Sequence, residues 1–247
     1  MSEPQEDSFI SHLVELRDRL LRAVVAVVVI FVCLMPWAGD IYDILAHPMM
    51  SALPEGTKMI ATGVVTPFFV PMKVTLLVAF VIALPFVLYQ AWCFIAPGLY
   101  VHEKRLGLPL VVGSTVLFLA GMAFCYFFVF GTVFKFIAQF APKSITPAPD
   151  IEQYLAFVMS MFLAFGITFE VPVIVIVLVK LGIVDVAKFK EARLYVIVGA
   201  FVIAAVVTPP DVVSQLMLAV PMCLLYELGI FLSRFVTKTR ADEAVSS

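Results

Sequence analysis

The chain has 247 residues, of which 63% are apolar and only 14% are charged, and its mean hydropathy is +1.09. This composition excludes an ordinary soluble domain and indicates an integral membrane protein whose apolar residues form membrane spans. The formal net charge of −2 says little, because the distribution of charge along such a chain sets its topology.

The N-terminal stretch MSEPQEDSFISHLVELRDRL is acidic and then helical in pattern, and it lacks the cleavage site of a signal peptide. We therefore expect the first apolar segment to stay in the protein. Within this stretch Glu15 precedes Arg19 by four residues, which is the spacing of an ion pair on one helix face. The sequence leaves open whether Glu15 serves this local pair or a functional contact.

Six apolar segments predict an all-α integral membrane protein with six transmembrane helices in a single domain, residues 1–247. The segments cover residues 20–38, 72–95, 108–134, 154–179, 195–207 and 212–232. The fifth is shorter than the ~20 residues that a span requires, and the sixth is little longer if it ends at Glu227. Such a pair requires local thinning of the bilayer or burial against other helices.

The links between these segments differ in charge and in proline content. Twelve of the sixteen Lys and Arg residues lie on the side of the termini, so the positive-inside rule predicts that both termini are cytoplasmic. Ten of the sixteen prolines, Pro48 among them, lie in or beside the links on the other side. The first of these links can hold a short helix around residues 41–53, which we interpret as a structured cap across the outer face; a floppy loop is the alternative.

Ionisable and polar side chains inside the spans are few. Glu170, in FGITFEVP, lies deep in the fourth segment, and the following Pro172 leaves the carbonyl of Thr168 without its helical donor. A protonated Glu170 bonded within the bundle and a contact with a partner helix or water cavity are both open. Asp211 and Gln215 form a second polar spot, although Asp211 can simply cap the sixth helix.

The sequence contains none of the motifs that mark an enzyme. It has no glycine-rich phosphate loop, no zinc-ligand spacing and no Ser/His/Asp set on one face. The four cysteines lie in or beside apolar runs without paired spacing, which favours buried thiols over disulfides or metal ligands. We therefore expect no catalysis, no cofactor, no metal ion and no nucleic-acid partner.

Glu103 stands in the short basic link FIAPGLYVHEKRLGLP. If the link is helical, the positions three and four residues away carry no charge: they are Leu99, Tyr100, Leu106 and Gly107. A carboxylate near Phe94 at a membrane boundary suits a guanidinium, which can bond to the acid and stack on the ring. A cation from another molecule and one from this chain, such as Arg17, Arg19 or the basic link 188–193, are equally open.

Five stretches in one order resemble the TatC family of the bacterial twin-arginine protein translocase: HLVELRDRL, FIAPGLYVHEKR, FGITFEVP, VGAFVIAAVVTPPDVVSQ and PMCLLYELG. The resemblance extends over about residues 9–235. It implies a glove-like concave bundle of six transmembrane helices in the bacterial inner membrane, with cytoplasmic termini and a short periplasmic cap helix. It also implies a receptor for the twin-arginine signal peptides of folded proteins, which are exported with the proton-motive force.

The resemblance further implies partners and site residues. The partners are TatA- and TatB-type single-span membrane proteins, other copies of the chain, and the lipid bilayer. The signal-peptide-binding residues would be Glu15, Arg17, Phe94, Leu99, Tyr100, Glu103 and Arg105. Glu170, Asp211 and Gln215 would face partner helices, while Pro48 and Pro85 would be structural in the cap and the second segment. A proton-coupled small-solute transporter that uses Glu170 is the alternative function.

Overall fold

The computed structural model describes residues 4–51, 59–95, 104–140, 148–208 and 211–246, with side chains for residues 12–51, 59–95, 107–139, 148–208 and 211–234. Its helices are α1 Pro4–Leu34, α2 Ala38–Met50, α3 Thr66–Ile95, α4 Lys104–Phe124, α5 Phe130–Phe140, α6 Ile151–Lys180, α7 Val186–Glu191, α8 Arg193–Val207 and α9 Val212–Ser246. A 3-10 turn, Met35–Trp37, joins α1 to α2, and a π-helical turn, Cys125–Val129, joins α4 to α5.

The helices confirm the all-α class. Among the residues that the structure describes, five helical stretches are long and apolar enough to cross a membrane: His12–Met50, Thr66–Ile95, Gly107–Gln139, Ile151–Lys180 and Val212–Arg234. The fifth predicted segment is α8, a shorter apolar helix of 15 residues, or about 22 Å, against a hydrocarbon core of ~30 Å. The predicted cap helix is also present, as α2.

The sixth predicted segment, residues 212–232, lies within α9 and does not end at Glu227. Glu227 lies inside α9, and the apolar stretch that contains it has 23 residues, enough to cross a membrane. Arg193 bonds to the carboxylate of Glu227, with Nε–Oε1 and Nη2–Oε2 distances of 2.7 Å. The paired charge therefore does not interrupt the helix.

The chain divides into two compact units. The first unit consists of Met1–Tyr42 and Pro71–Thr115, and the second consists of Asp43–Val70 and Val116–Ser247. In the first unit the buried indole of Trp92 on α3 donates through Nε1 to Oγ of Ser114 on α4, at 2.9 Å. This bond satisfies two polar groups that would otherwise be costly to bury. The single-domain organisation stays a prediction.

In the second unit, α6 packs closely against both α4 and α9 because glycine stands at the crossings. A Cβ atom on Gly121 of α4 would lie 2.5 Å from the carbonyl oxygen of Phe165 on α6. On α9, a Cβ on Gly229 would lie 3.0 Å from Cα of Pro172. Small residues let membrane helices approach until their backbones touch, so these positions set the packing distance.

Residues that precede α3 and α6 form a short clip. Ile60 donates its N–H to the carbonyl of Pro149 (3.0 Å) and accepts from the N–H of Ile151 (2.9 Å). Asp150 is the N-cap of α6, where Oδ1 accepts the N–H groups of Glu152 and Gln153. Its Oδ2 accepts from both the hydroxyl (2.7 Å) and the N–H (3.1 Å) of Thr62.

This clip is expected to be sensitive to acid. The Thr62 hydroxyl is the largest cause of an Asp150 pKa below its ordinary value of 3.8, and backbone N–H groups add to it. Because the folded-state pKa is depressed, the stabilisation is present above the ordinary value and is lost as the pH falls through the folded-state pKa. We expect the Tm advantage of the wild-type chain over Asp150→Asn to shrink when the pH is lowered from about 6 to below 3.8.

Thermal unfolding of the purified protein in detergent measures this difference. Asp185→Asn is the matched control, because Asp185 also precedes a helix but makes no side-chain cap bond there. A Tm difference for Asp150→Asn that does not change with pH would contradict the prediction.

Candidate functional site

One face of α1 lies against the C-terminal end of α3. His12 stacks on Phe94 with a centroid distance of 4.4 Å and an interplanar angle of 21°. Glu15 and Arg19 follow His12 by three and seven residues, so helical geometry puts them on the same face of α1. Helical geometry therefore puts Glu15 on the α1 face that meets Phe94, and a shared recognition patch of the two residues stays a prediction.

The local ion pair of Glu15, which the sequence left open, is present. Both Nε and Nη2 of Arg19 donate to Oε1 of Glu15, with an Nε–Oε1 distance of 2.8 Å. The Glu15 side chain nevertheless keeps 43% of its surface exposed, so an incoming donor can reach it. Arg19 holds the carboxylate in place without covering it.

Arg17 belongs to a different face of α1. It lies five residues after His12, or about 140° around the helix, and donates from Nε and Nη2 to Oδ1 of its neighbour Asp18. Its side chain is 65% exposed. Glu15 thus lies on the face of α1 that carries His12, whereas Arg17 lies on a different face and bonds to Asp18.

The rest of the implied patch is only partly described. Leu99, Tyr100 and Glu103 lie outside the described residues, and Arg105 is described only as backbone in the first turn of α4. Their place beside Glu15 and Phe94 stays a prediction. Sequence reasoning did not include His12 in the patch, although its spacing of three residues from Glu15 was a usable signal.

The polar residues of the spans occupy two places in the second unit. Glu170 is buried in α6, with 6% of its surface exposed, two residues before Pro172 and close in sequence to buried Thr168. Asp211 caps α9, where its Oδ1 accepts the N–H of Ser214 at 2.7 Å, so the simpler of its two predicted roles is confirmed. Gln215 reaches from α9 to α8, where Nε2 donates to the carbonyl of Phe201 at 3.3 Å.

The two prolines of the resemblance both lie inside helices, Pro48 in α2 and Pro85 in α3. Each removes one N–H donor from its helix and frees a carbonyl four residues earlier.

The link between α6 and α8 is tied to α9 by bonds that sequence reasoning missed. Besides the Arg193–Glu227 pair, the Tyr226 hydroxyl donates to the carbonyl of Phe189 at 2.7 Å. Tyr226 also packs with Val175 and Ile230, and side chains of α7 lie against this cluster. The 34-residue separation of Arg193 and Glu227 offers no local pattern from which to predict their contact.

These contacts have a consequence for Glu103. The sequence left several cations of this chain as possible partners of Glu103. Three of them are arginines, and each is bonded to another carboxylate. Arg17 bonds to Asp18, Arg19 to Glu15 and Arg193 to Glu227. Each would have to share or leave an existing bond in order to serve Glu103.

Known proteins match this chain over nearly its whole length. The family model described as "Sec-independent protein translocase protein (TatC)" matches residues 11–221. The TatC protein of Escherichia coli K12 is 50% identical over 95% of this chain and 91% of its own length. That of Azotobacter chroococcum is 53% identical over 92% of this chain and 89% of its own.

A solved structure agrees with the fold as well. The crystal structure described as the twin-arginine translocase receptor TatC is 40% identical and superimposes with a TM-score of 0.81 over 92% of this chain and 99% of that one. These matches lend no support to the solute-transporter alternative. The chain belongs to the TatC family of Sec-independent protein translocase proteins.

Proposed function

We propose that this chain is the core receptor subunit of a bacterial twin-arginine translocase and that it binds the twin-arginine signal peptides of folded proteins. Its family membership supports a role in protein translocation, and its 40% identity to a solved receptor TatC supports the receptor role. The protein works by binding and assembly, and no covalent step is required of its residues.

The observation that carries the proposal is the contact of the Glu15 face of α1 with Phe94. A half-exposed carboxylate on the helix face that meets an aromatic ring matches both properties of a guanidinium, which forms paired charge-assisted hydrogen bonds and stacks on rings. A lysine ammonium can satisfy the charge but cannot form the paired bonds in one plane. Such a site therefore favours arginine over lysine.

Glu103 supplies the second carboxylate of the proposed site, together with Leu99, Tyr100 and Arg105. Among the described cations that could compete for it within the chain, Arg17, Arg19 and Arg193 are already bonded to other acids. An external arginine would break none of these bonds. Two carboxylates, one for each arginine, would then explain why the signal peptide carries a pair of arginines.

The partners we propose are TatA- and TatB-type single-span helices and further copies of this chain, in the inner membrane with both termini cytoplasmic. Helix α8 supports a partner helix, because four exposed apolar side chains follow each other at intervals of four residues: Leu194, Val198, Val202 and Val206. Gln215 lies at the start of the adjacent α9, and Glu170 would meet a polar group of a partner helix. Export would use the proton-motive force.

Co-purification tests the proposal directly. The tagged chain, co-expressed with a precursor that carries an Arg-Arg signal peptide, is expected to retain that precursor and single-span membrane proteins in mild detergent. A precursor with Lys-Lys at the same positions serves as the control and should be retained far less. Equal retention of both precursors, or of neither, would contradict the receptor role.

Glu15→Gln tests the described half of the site. We expect it to weaken binding of an Arg-Arg peptide about tenfold, because a hydrogen bond to a charged group contributes roughly 1.5–3 kcal/mol. Fluorescence anisotropy of a labelled peptide with the protein in nanodiscs measures the change. Asp18→Asn is the matched control, because Asp18 is a neighbouring acid of the same helix that bonds to Arg17 and not to Arg19; an equal loss in both variants would contradict the assignment.

A further inference from the structure

Pro48 leaves a backbone acceptor open in the helix α2. A helical carbonyl normally accepts from the N–H four residues later, and proline has no N–H to give. Since Pro48 lies inside α2, the carbonyl of Ile44 lacks its helical donor. A hydrogen bond from another donor would satisfy this open carbonyl and stabilise the helix.

Tyr126 supplies that donor. Its hydroxyl donates to the carbonyl oxygen of Ile44 at 3.0 Å, over a sequence separation of 82 residues. Tyr126 stands on the π-helical turn Cys125–Val129, where an extra residue changes the direction in which side chains project from the helix. Two local irregularities, a proline in α2 and a π turn between α4 and α5, thus meet in one hydrogen bond.

A second tyrosine bonds to the next carbonyl and provides a natural comparison. The hydroxyl of Tyr154, a buried residue in the first turn of α6, donates to the carbonyl of Leu45 at 2.8 Å. Leu45 is four residues before Met49, which has an N–H, so its carbonyl is not freed by the proline. Tyr154 therefore bonds to a carbonyl that the proline does not free.

We propose that Pro48 and Tyr126 act as a pair, in which the proline keeps the Ile44 carbonyl open and Tyr126 uses it to hold α2. Tyr126 is then a positioning residue that acts on the cap helix, and Tyr154 is a second attachment that does not depend on the proline. In this pairing Pro48 acts through the bond that its missing N–H permits.

A double-mutant cycle tests this pairing. In Pro48→Ala the new N–H of residue 48 can bond to the Ile44 carbonyl, so the loss of the Tyr126 hydroxyl should matter much less. We expect Tyr126→Phe to accelerate amide hydrogen exchange in residues 44–51 about fivefold in the wild-type background, because a net hydrogen bond contributes roughly 1 kcal/mol. In the Pro48→Ala background the same change should accelerate exchange by less than about twofold.

Tyr154→Phe is the matched control for the cycle. It removes a hydroxyl from the neighbouring carbonyl, and its effect on exchange should be the same in the wild-type background as in the Pro48→Ala background. Coupling of Pro48 to Tyr126 but not to Tyr154 supports the proposal, and additive effects of Pro48→Ala and Tyr126→Phe overturn it. A general loss of packing would instead couple Pro48 to both tyrosines, which also overturns it.

A replacement variant and an export assay complete the test of the pairing. If Pro48→Ala does not accumulate in the membrane, Pro48→Ser restores the same N–H and replaces it in the cycle. Export of an Arg-Arg precursor should fall in Tyr126→Phe, while the double variant should export no worse than Pro48→Ala alone. Because hydrogen exchange is read without any precursor, the pairing is tested separately from the proposed receptor function.

Discussion

Replacement of Glu103 by glutamine is expected to reduce crosslinking of an Arg-Arg signal peptide by about 10- to 100-fold. The change keeps the size of the side chain but removes the charge, and a hydrogen bond to a charged group contributes roughly 1.5–3 kcal/mol. The expected loss exceeds that for Glu15, because Glu15 already shares its Oε1 with Arg19. A photoreactive peptide and the chain in native membranes provide the measurement.

Two controls separate recognition of arginine from a general effect of charge. A Lys-Lys peptide binds weakly to begin with, and its residual crosslinking should change little in Glu103→Gln. Glu191→Gln removes an exposed carboxylate on the link between α6 and α8, and it should leave crosslinking of the Arg-Arg peptide unchanged. If Glu103→Gln reduces crosslinking of the two peptides by the same factor, Glu103 does not recognise arginine.

Gly121→Val is expected to have the largest effect on stability. Its Cβ would lie 2.5 Å from the Phe165 carbonyl oxygen and 3.0 Å from the adjoining carbonyl carbon, both of which are backbone atoms of α6. Neither atom can rotate away as a side chain can, so α4 and α6 must separate. Overpacking of this kind typically costs about 1–3 kcal/mol, and the added methyl groups raise that cost.

The measurement is the Tm of the purified protein in detergent, together with its level in the membrane. Gly131→Val is the matched control, because Gly131 lies in α5 of the same unit and its Cβ would meet no atom within 4 Å. Both variants introduce the same β-branched residue into a helix, so their intrinsic propensity costs are equal. Similar Tm values for the two variants would refute the role of Gly121 in helix packing.

Much of the fold follows from local sequence patterns. Apolar length predicts the spans, since a helix in lipid must satisfy its own backbone and carry apolar side chains. The cap of α9 was also readable, because Asp211 stands immediately before an apolar run and its carboxylate reaches an N–H three residues later. The partner of Glu227 was not readable in this way, since it is Arg193 on another helix.

Some features of the site also follow from local spacing, and others depend on helix packing. The spacing of Glu15 and Arg19 indicated an ion pair, which is present, and the uncharged neighbours of Glu103 indicated a carboxylate without a local helical partner. The stacking of His12 on Phe94 joins two residues that are distant in sequence. Such a contact depends on how two helices pack, and no periodicity within either helix encodes it.

By itself, the sequence determined that this is a helical membrane protein with several spans, a separate helix between the first two, and acids at particular positions. Each of these features depends on residues within a few turns of one another, where helix geometry relates spacing to position. Only the tertiary structure decided which acids are already paired, which glycines meet a neighbouring backbone, and that the carbonyl freed by Pro48 faces Tyr126. Those outcomes depend on distances between helices, which are set by the packing of all their side chains together.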